Sequence, residues 1–277
     1  MLGAIIGDVC GSVYEGRRRN EKDINRIELF HKDCHPTDDS IMTVAVGKAL
    51  MDSAGKSDDQ IRELVIRSMH YYGSLFPDSG YGGRFRQWLE FAEVNPYNSW
   101  GNGSAMRVSA AGWLYDTMEE TMHVAELTAD VTHNHPEGVK GAKAIATCIW
   151  LARKGASKEE IREYVNTHFY RLDFTIDEIR PFYGFDVSCQ GSCPQAIEAF
   201  LESTDFENAI RLAISIGGDS DTIAAMTGSI AEAYYGIPKE IKKKISDVLV
   251  DVVLYKGYTY NNSALAAEVK RFHEQIG

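Results

Sequence analysis

The chain has 277 residues, is 44% hydrophobic and 25% charged, and carries a net charge of −11. That length allows a sizeable core in one large domain or two small ones. The acidic balance excludes a broad basic surface for nucleic acid or anionic membrane, because no cationic excess is available to neutralise phosphates.

No apolar run approaches the roughly eighteen residues that a membrane span needs. The opening "MLGAIIGDVCG" has no basic start and is interrupted at Asp8, so it does not read as a signal peptide. Five scattered cysteines, Cys10, Cys34, Cys148, Cys189 and Cys193, read as reduced thiols of a cytoplasmic protein.

The apolar spacing is helical almost throughout. Leu2, Ile5, Ile6, Val9 and Val13 share one face of a first helix. "SDDQ" (Ser57–Gln60) and "SKEE" (Ser157–Glu160) have the spacing of capping boxes and open two more helices. Phe206, Ala209, Ile210, Ala213 and Ile214 mark another, which Gly217-Gly218 ends. From Pro238 a long helix is predicted through Leu254, with Ile241, Ile245, Val248 and Val252 inward. No hairpin signature stands out, so the predicted fold is all-α, about ten or more helices in one compact domain over residues 1–277. Glycine, asparagine and serine gather in Gly7–Gly16, Asn95–Arg107, Thr132–Gly138, Ser188–Cys193 and Gly217–Thr222, which read as loops that carry chemistry.

Two of these regions place hard oxygen donors at helix starts. "HPTDDSIM" (His35–Met42) offers Thr37, Asp38 and Asp39, and "GGDSDT" offers Asp219, Asp221 and Thr222. Aspartates at such positions can simply cap free amides and suit the helix dipole. Two such groups, each with a threonine beside its acids, point instead to Mg²⁺ or Mn²⁺, since neither contributes histidine or cysteine. "HKDCH" (His31–His35) has half the donors of a zinc site and no second half.

Glu15 stands beside Arg17, Arg18 and Arg19, so it is either a solvated carboxylate or a general base at a metal site. "NSWGNGS" (Asn98–Ser104) is built from residues that tolerate positive φ, and its amides suit a diphosphate without lysine or arginine. An ordinary interhelical loop has the same composition, although Trp100 at its centre needs a partner for its ring. His133 and His135 are open to roles as ligand contacts or as partners of a helix end.

Taken in order, "GAIIGDVCGSVYEG", "PTDDS", "GNGSAMR", "THNHPEG" and "GGDSDTIAAMTGSIAEAYYG" resemble the motifs of the ADP-ribosylglycohydrolase family, over positions 3 to 236. The resemblance implies an all-α fold with a binuclear metal cleft holding two Mg²⁺ (or Mn²⁺). By it, Thr37, Asp38, Asp39, Asp219, Asp221 and Thr222 are metal ligands, and Glu15, Asp39 and Asp221 carry catalysis. Ser99, Trp100, Gly101, Asn102, Gly103 and Ser104 match the loop that holds the diphosphate and distal ribose, and His133 lies beside the ADP part. Val9, Cys10 and Trp100 depart from the family's usual residues without touching the metal ligands.

The implied reaction is hydrolysis at the anomeric carbon of ADP-ribose attached to a protein or a small molecule, with an arginine adduct favoured. Serine-linked ADP-ribose and O-acetyl-ADP-ribose are alternatives on the same fold. A metal-dependent nucleotide phosphohydrolase and a non-catalytic ADP-ribose binder are alternatives of other kinds. No membrane or nucleic-acid partner is expected, and the chain is expected to be a monomer.

Overall fold

A computed structural model of the chain describes residues 1–16, 20–91, 94–250, 252–255 and 258–276. The first half contains α1 (Leu2–Gly11), α2 (Asp38–Met51), α3 (Asp58–Leu75), α4 (Gly83–Glu90), the short turn α5 (Gly103–Met106), α6 (Ser109–Leu114) and α7 (Met118–Asp130). The second contains α8 (Pro136–Arg153), α9 (Lys158–His168), the short turn α10 (Ile176–Ile179), α11 (Cys189–Glu202), α12 (Phe206–Ile216), α13 (Ser220–Tyr235), α14 (Lys239–Val250) and α15 (Ser263–Ile276). The fold is all-α, with one short antiparallel hairpin, β1 (Val252–Tyr255) and β2 (Tyr258–Asn261), paired from Val252↔Asn261 to Tyr255↔Tyr258. No helix among the described residues is long and apolar enough to cross a membrane.

Local chemistry sets many of the helix ends. Ser57 with Gln60 and Ser157 with Glu160 form complete capping boxes at α3 and α9. α12 ends at Gly217, whose φ of 78° is open to glycine at little cost. The C-terminal helix is shorter than its spacing predicts: α14 stops at Val250, and Val252 and Leu254 belong to β1. "VVLY" and "YTYN" are rich in β-branched and aromatic residues, which favour strand pairing over a fifth helical turn. "SCQGSC" is also not a loop, because Ser188 caps α11 and Cys189–Cys193 form its first turn.

α13 is the axis of the molecule. Every residue from Ser220 to Glu232 is buried, as expected of a helix surrounded by others. It packs against α1, α12, α11, α8, α5 and α2. α1 approaches it through Gly3, Gly7 and Gly11, four residues apart on one face. A Cβ at Gly3 would lie 2.2 Å from the carbonyl oxygen of Gly228, one at Gly7 2.0 Å from that of Ala224, and one at Gly11 2.5 Å from Cα of Asp221. The backbones therefore touch, and that contact puts the first turn of α13 beside the C-terminal end of α1. At the other end, Glu232 accepts from the Met1 ammonium at 2.7 Å and from the Gly3 amide at 2.8 Å.

Candidate metal and ligand site

The N-termini of α2 and α13 face one another. Thr37 is the N-cap of α2, with Asp38 and Asp39 in its first turn, and Asp219 is the N-cap of α13, with Asp221 in its first turn. Thr37, Asp39, Asp219, Asp221 and Thr222 are buried, and Asp38 is half-buried. Thr222 donates its hydroxyl to Asp39 Oδ2 at 3.2 Å, which ties the two stretches together directly. Asp219 accepts from Asn102 Nδ2 at 2.6 Å. Glu15 is exposed, and carboxylate oxygens of Glu15, Asp219 and Asp221 lie within 4.8 Å of one another. Arg17, Arg18 and Arg19, the neighbours that would have made Glu15 an ordinary ion-pair residue, lie outside the described residues.

Asp8 is a further acid of this site, which the sequence pattern does not single out. It is fully buried in α1, and one oxygen each of Asp8, Asp39 and Asp221 also fall within 4.8 Å of one another. Its carboxylate accepts from the Thr37 amide at 2.9 Å, the Thr37 hydroxyl at 2.6 Å, the Ser40 amide at 3.0 Å and the Ser40 hydroxyl. Four protein donors satisfy it, so its work is to hold the first turn of α2. Asp39 is the opposite case: its Oδ1 is buried and has no hydrogen-bond partner in the structure. The sequence signal for Asp8 was an acid inside a helix whose every other residue is small or apolar.

Packing these acids together raises their proton affinities. Burial, with Asp8 and Asp219 close by, holds Asp38 and Asp39 well above the usual carboxylate range. Burial with Asp219 and Asp39 does the same to Asp221, and burial pushes Asp219 up to about 6. Burying like charges this way is costly unless a cation joins them. An unsatisfied buried carboxylate oxygen, donors that are all oxygen, and the proximity of several acids together fit hard divalent ions.

The acids line a cavity of about 480 Å³. Ser99, Gly101, Asn102, Gly103 and His133 line the other parts of its wall, together with Tyr97, Arg107, Phe185 and Val187. Trp100 and Ser104, expected in the ligand-binding stretch, do not line it. Trp100 is 53% exposed, and its ring meets His135 edge-on at 5.9 Å. Ser104 is buried and donates to the carbonyl of Gly138 at 2.7 Å.

The stretch also differs from an amide nest. Gly101 donates its amide to Ser99 Oγ at 3.1 Å and Asn102 to the Val187 carbonyl at 2.8 Å, while Trp100 accepts from the Cys189 amide at 2.9 Å. Gly101 is bridged to Ser188, Asn102 and Gly103 lead into α5, and positive φ occurs at Asn98 but at neither Gly101 nor Gly103. The five cysteines are all free, and Cys189 donates to the carbonyl of Gly101 at 3.0 Å behind this wall. His135 caps α8 by accepting the Glu137 amide at 3.1 Å, and His31 accepts the Asp33 amide at 3.1 Å in a local turn.

Comparison with known proteins agrees with this architecture. The model of the ADP-ribosylglycohydrolase family matches residues 1–269. The chain is 27% identical to ADP-ribosylhydrolase ARH3 of Bos taurus, over 86% of this chain and 84% of that protein. It is 24% identical to ADP-ribosylarginine hydrolase Tri1 of Pseudomonas putida (strain GB-1), over 89% of this chain and 73% of that one. A solved structure, "ADP-ribosylglycohydrolase-related protein complex", superposes with a TM-score of 0.67 at 21% identity, covering 100% of this chain and 96% of that chain, and so shares the fold. An all-α enzyme that hydrolyses glycosyl bonds is the class thus defined. The chain belongs to the ADP-ribosylglycohydrolase family.

Proposed function

We propose that this protein removes ADP-ribose from modified targets by hydrolysing the bond at its anomeric carbon, with ADP-ribosyl-arginine as the preferred adduct. The observation that supports this most is the unsatisfied Asp39 Oδ1 among the acids that line a cavity. The arginine linkage draws on the likeness to ADP-ribosylarginine hydrolase Tri1.

Thr37, Asp38, Asp39, Asp219, Asp221 and Thr222 would hold two Mg²⁺ or Mn²⁺ ions. Such ions supply Lewis-acid polarisation and a water of lowered pKa. The protein's own part begins with Asp8, which accepts the Thr37 hydroxyl at 2.6 Å; that oxygen also accepts the Asp39 amide at 3.4 Å and keeps a second lone pair for a cation. Asn102 fixes Asp219 from the cavity wall, so ligand and acid positions are linked through one side chain. Glu15, exposed beside Asp219 and Asp221, would take a proton from the attacking water. The bond from the anomeric carbon to the aglycone nitrogen would break with its electron pair going to the nitrogen, leaving an oxocarbenium-like ribose; water would form the new C–O bond, and the proton the water loses balances the one the departing aglycone gains.

The test is chromatography of products from arginine-, serine- and acetyl-linked ADP-ribose with Mg²⁺ or Mn²⁺. Free ADP-ribose from the arginine adduct is the expected product. Turnover of only the serine or acetyl adduct would transfer the specificity to an O-linkage. AMP would indicate a phosphohydrolase, and binding without turnover a binding module.

A further inference from the structure

Arg107 follows the α5 turn, is 1% exposed and lines the cavity. One Nη donates to the Thr128 carbonyl at 3.1 Å and to Thr132 Oγ1 at 2.8 Å. Its Nε is buried with no acceptor. The guanidinium lies over the Phe85 ring at 5.8 Å. Burial pulls Arg107 down to about 10, and the neighbours that act on its charge are Tyr97 and Cys189, neither of them a carboxylate. A buried cation without an acid partner is costly, and an arriving anion offsets that cost.

Thr132 Oγ1 stands 2.7 Å from His133 Nδ1. The protons on this chain can be counted. A guanidinium only donates, so Thr132 accepts from Arg107, and its own hydrogen has His133 Nδ1 as the acceptor the structure shows. An imidazole that accepts at Nδ1 and is neutral carries its hydrogen on Nε2. That nitrogen faces two residues that lack side chains. A Cβ at Gly103 would come within 3.1 Å of it and one at Gly101 within 3.6 Å. The missing side chains keep Nε2 open to the cavity that His133 lines.

We propose that Arg107, acting through Thr132, holds His133 as the neutral Nε2–H tautomer, and that this N–H and the uncompensated Arg107 charge receive an anionic oxygen of the ligand. Where the ligand is ADP-ribose, as the function proposed above has it, that oxygen belongs to a phosphate. The tautomer does not depend on that reading. Arg107 and Thr132 are positioning residues in this scheme, and His133 is the ligand contact. Burial and the neighbouring guanidinium also hold His133 well below the usual imidazole range, which favours the neutral form. The cavity is thereby polarised, with its acids at the starts of α2 and α13 and its positive potential at Arg107 and His133. A ligand with a neutral sugar at one end and an anionic centre matches this layout.

The test is long-range ¹H–¹⁵N NMR of the histidine rings in the intact protein, with His133 assigned by its loss in His133→Gln. The expected spectrum at neutral pH shows a protonated Nε2 and a bare Nδ1. A protonated Nδ1, a mixture of tautomers or an imidazolium would overturn the proposal. ADP-ribose affinity by calorimetry then tests the ligand side. Thr132→Ser, which keeps the hydroxyl, should bind like wild type, and Thr132→Val should bind roughly tenfold or more weakly. Equal affinity in both variants would overturn the positioning role. If Thr132→Val does not fold, the wild-type spectrum and Thr132→Ser still decide. Wild-type protein that shows the expected tautomer and does not bind ADP-ribose would overturn the proposed function and the phosphate assignment, with the relay left standing.

Discussion

Gly7 of α1 lies against the backbone of Ala224 in α13, so close that a Cβ at Gly7 would be 2.0 Å from the Ala224 carbonyl oxygen. No side chain can move aside there, because the opposing atoms are backbone. Gly7→Ala must therefore push two central helices apart, at a cost of about 1–3 kcal/mol or more. For a domain of this size that corresponds to a fall in Tm of roughly 2–12 °C. Gly83→Ala, where a Cβ meets nothing within 4 Å, is the control and should melt near wild type. A thermal melt of Gly7→Ala that overlays wild type would refute the close contact.

The same contact brings Asp8 to α2 and Asp221. Asp8→Asn replaces one acceptor oxygen by a donor and leaves at least one of the four donors from Thr37 and Ser40 without a partner. Such a loss costs about 1–3 kcal/mol. The expected result is a lower Tm both with and without divalent metal, together with weaker metal binding. Unchanged stability would mean that Asp8 does not organise α2 and acts as a ligand instead.

Asp221→Asn should behave in the opposite sense in metal-free protein. Removing one charge from a cluster that raises every member's proton affinity relieves repulsion, so Tm without metal should rise. Metal uptake should fall, and turnover should drop roughly a thousandfold, as expected when several kcal/mol of transition-state stabilisation are lost. Metal content, Tm and single-turnover rates on one preparation make the comparison. Wild-type turnover at full metal content would refute the site.

What the sequence made legible was local. Ser57 and Ser157 start their helices and Gly217 ends its own through contacts within a few residues, and the Thr37–Asp39 and Asp219–Thr222 stretches announce themselves by composition. Asp8 was not legible, because its four donors come from a stretch about thirty residues away and nothing near it in sequence is polar until Ser12. Arg107 was hidden for the same reason: only the fold shows that it is buried without an acid. The end of α14 was misread because Val252 and Leu254 continue an apolar spacing that both a helix and a short strand can use. Residues 98–104 have a loop's composition, yet a backbone bridge to Ser188 consumes amides that composition alone leaves open.

The acid cluster also predicts how stability depends on pH. Asp38, Asp39 and Asp221 have folded-state proton affinities above their unfolded values, and Asp219 sits at about 6. Between the unfolded carboxylate value, about 4, and these raised values the folded state binds more protons than the unfolded one. The cluster's contribution is therefore complete below about pH 4 and is lost as pH rises through 6 and beyond. Glu232 has the opposite sign, since the Met1 ammonium and the Gly3 amide help to hold it down at about 2, and its contribution is lost as pH falls from its unfolded value towards 2. Metal-free protein should melt at a higher temperature at pH 5 than at pH 8. Millimolar Mn²⁺ should erase or reverse that difference, because the ions replace the protons. Identical pH profiles with and without Mn²⁺ would count against a metal at these acids.

The acids and the wall around His133 should come apart under mutation. Gly101 and Gly103 stand side by side on the wall, neither needs positive φ, and they differ in what a side chain would meet. At Gly103 a Cβ would lie 3.1 Å from His133 Nε2 and 3.2 Å from its Cε1, tighter than an ordinary contact, and His133 is buried and held from behind by Thr132. At Gly101 the nearest atoms would be Ser99 Oγ at 3.3 Å, a side chain, and the Val187 carbonyl at 3.4 Å. Gly103→Ala should therefore disturb ligand binding more than Gly101→Ala, with a loss of affinity for ADP-ribose of roughly tenfold against little change. Both variants should keep the metal content of wild type, because neither residue belongs to the acid cluster. Asp221→Asn should show the reverse pattern, losing metal and rate while keeping much of its affinity for ADP-ribose. Calorimetry with ADP-ribose, metal analysis and initial rates on the three variants give the matrix. A Gly103→Ala protein that binds ADP-ribose like wild type, or that loses its metal along with its affinity, would show that the wall around His133 is not a separate ligand-binding surface.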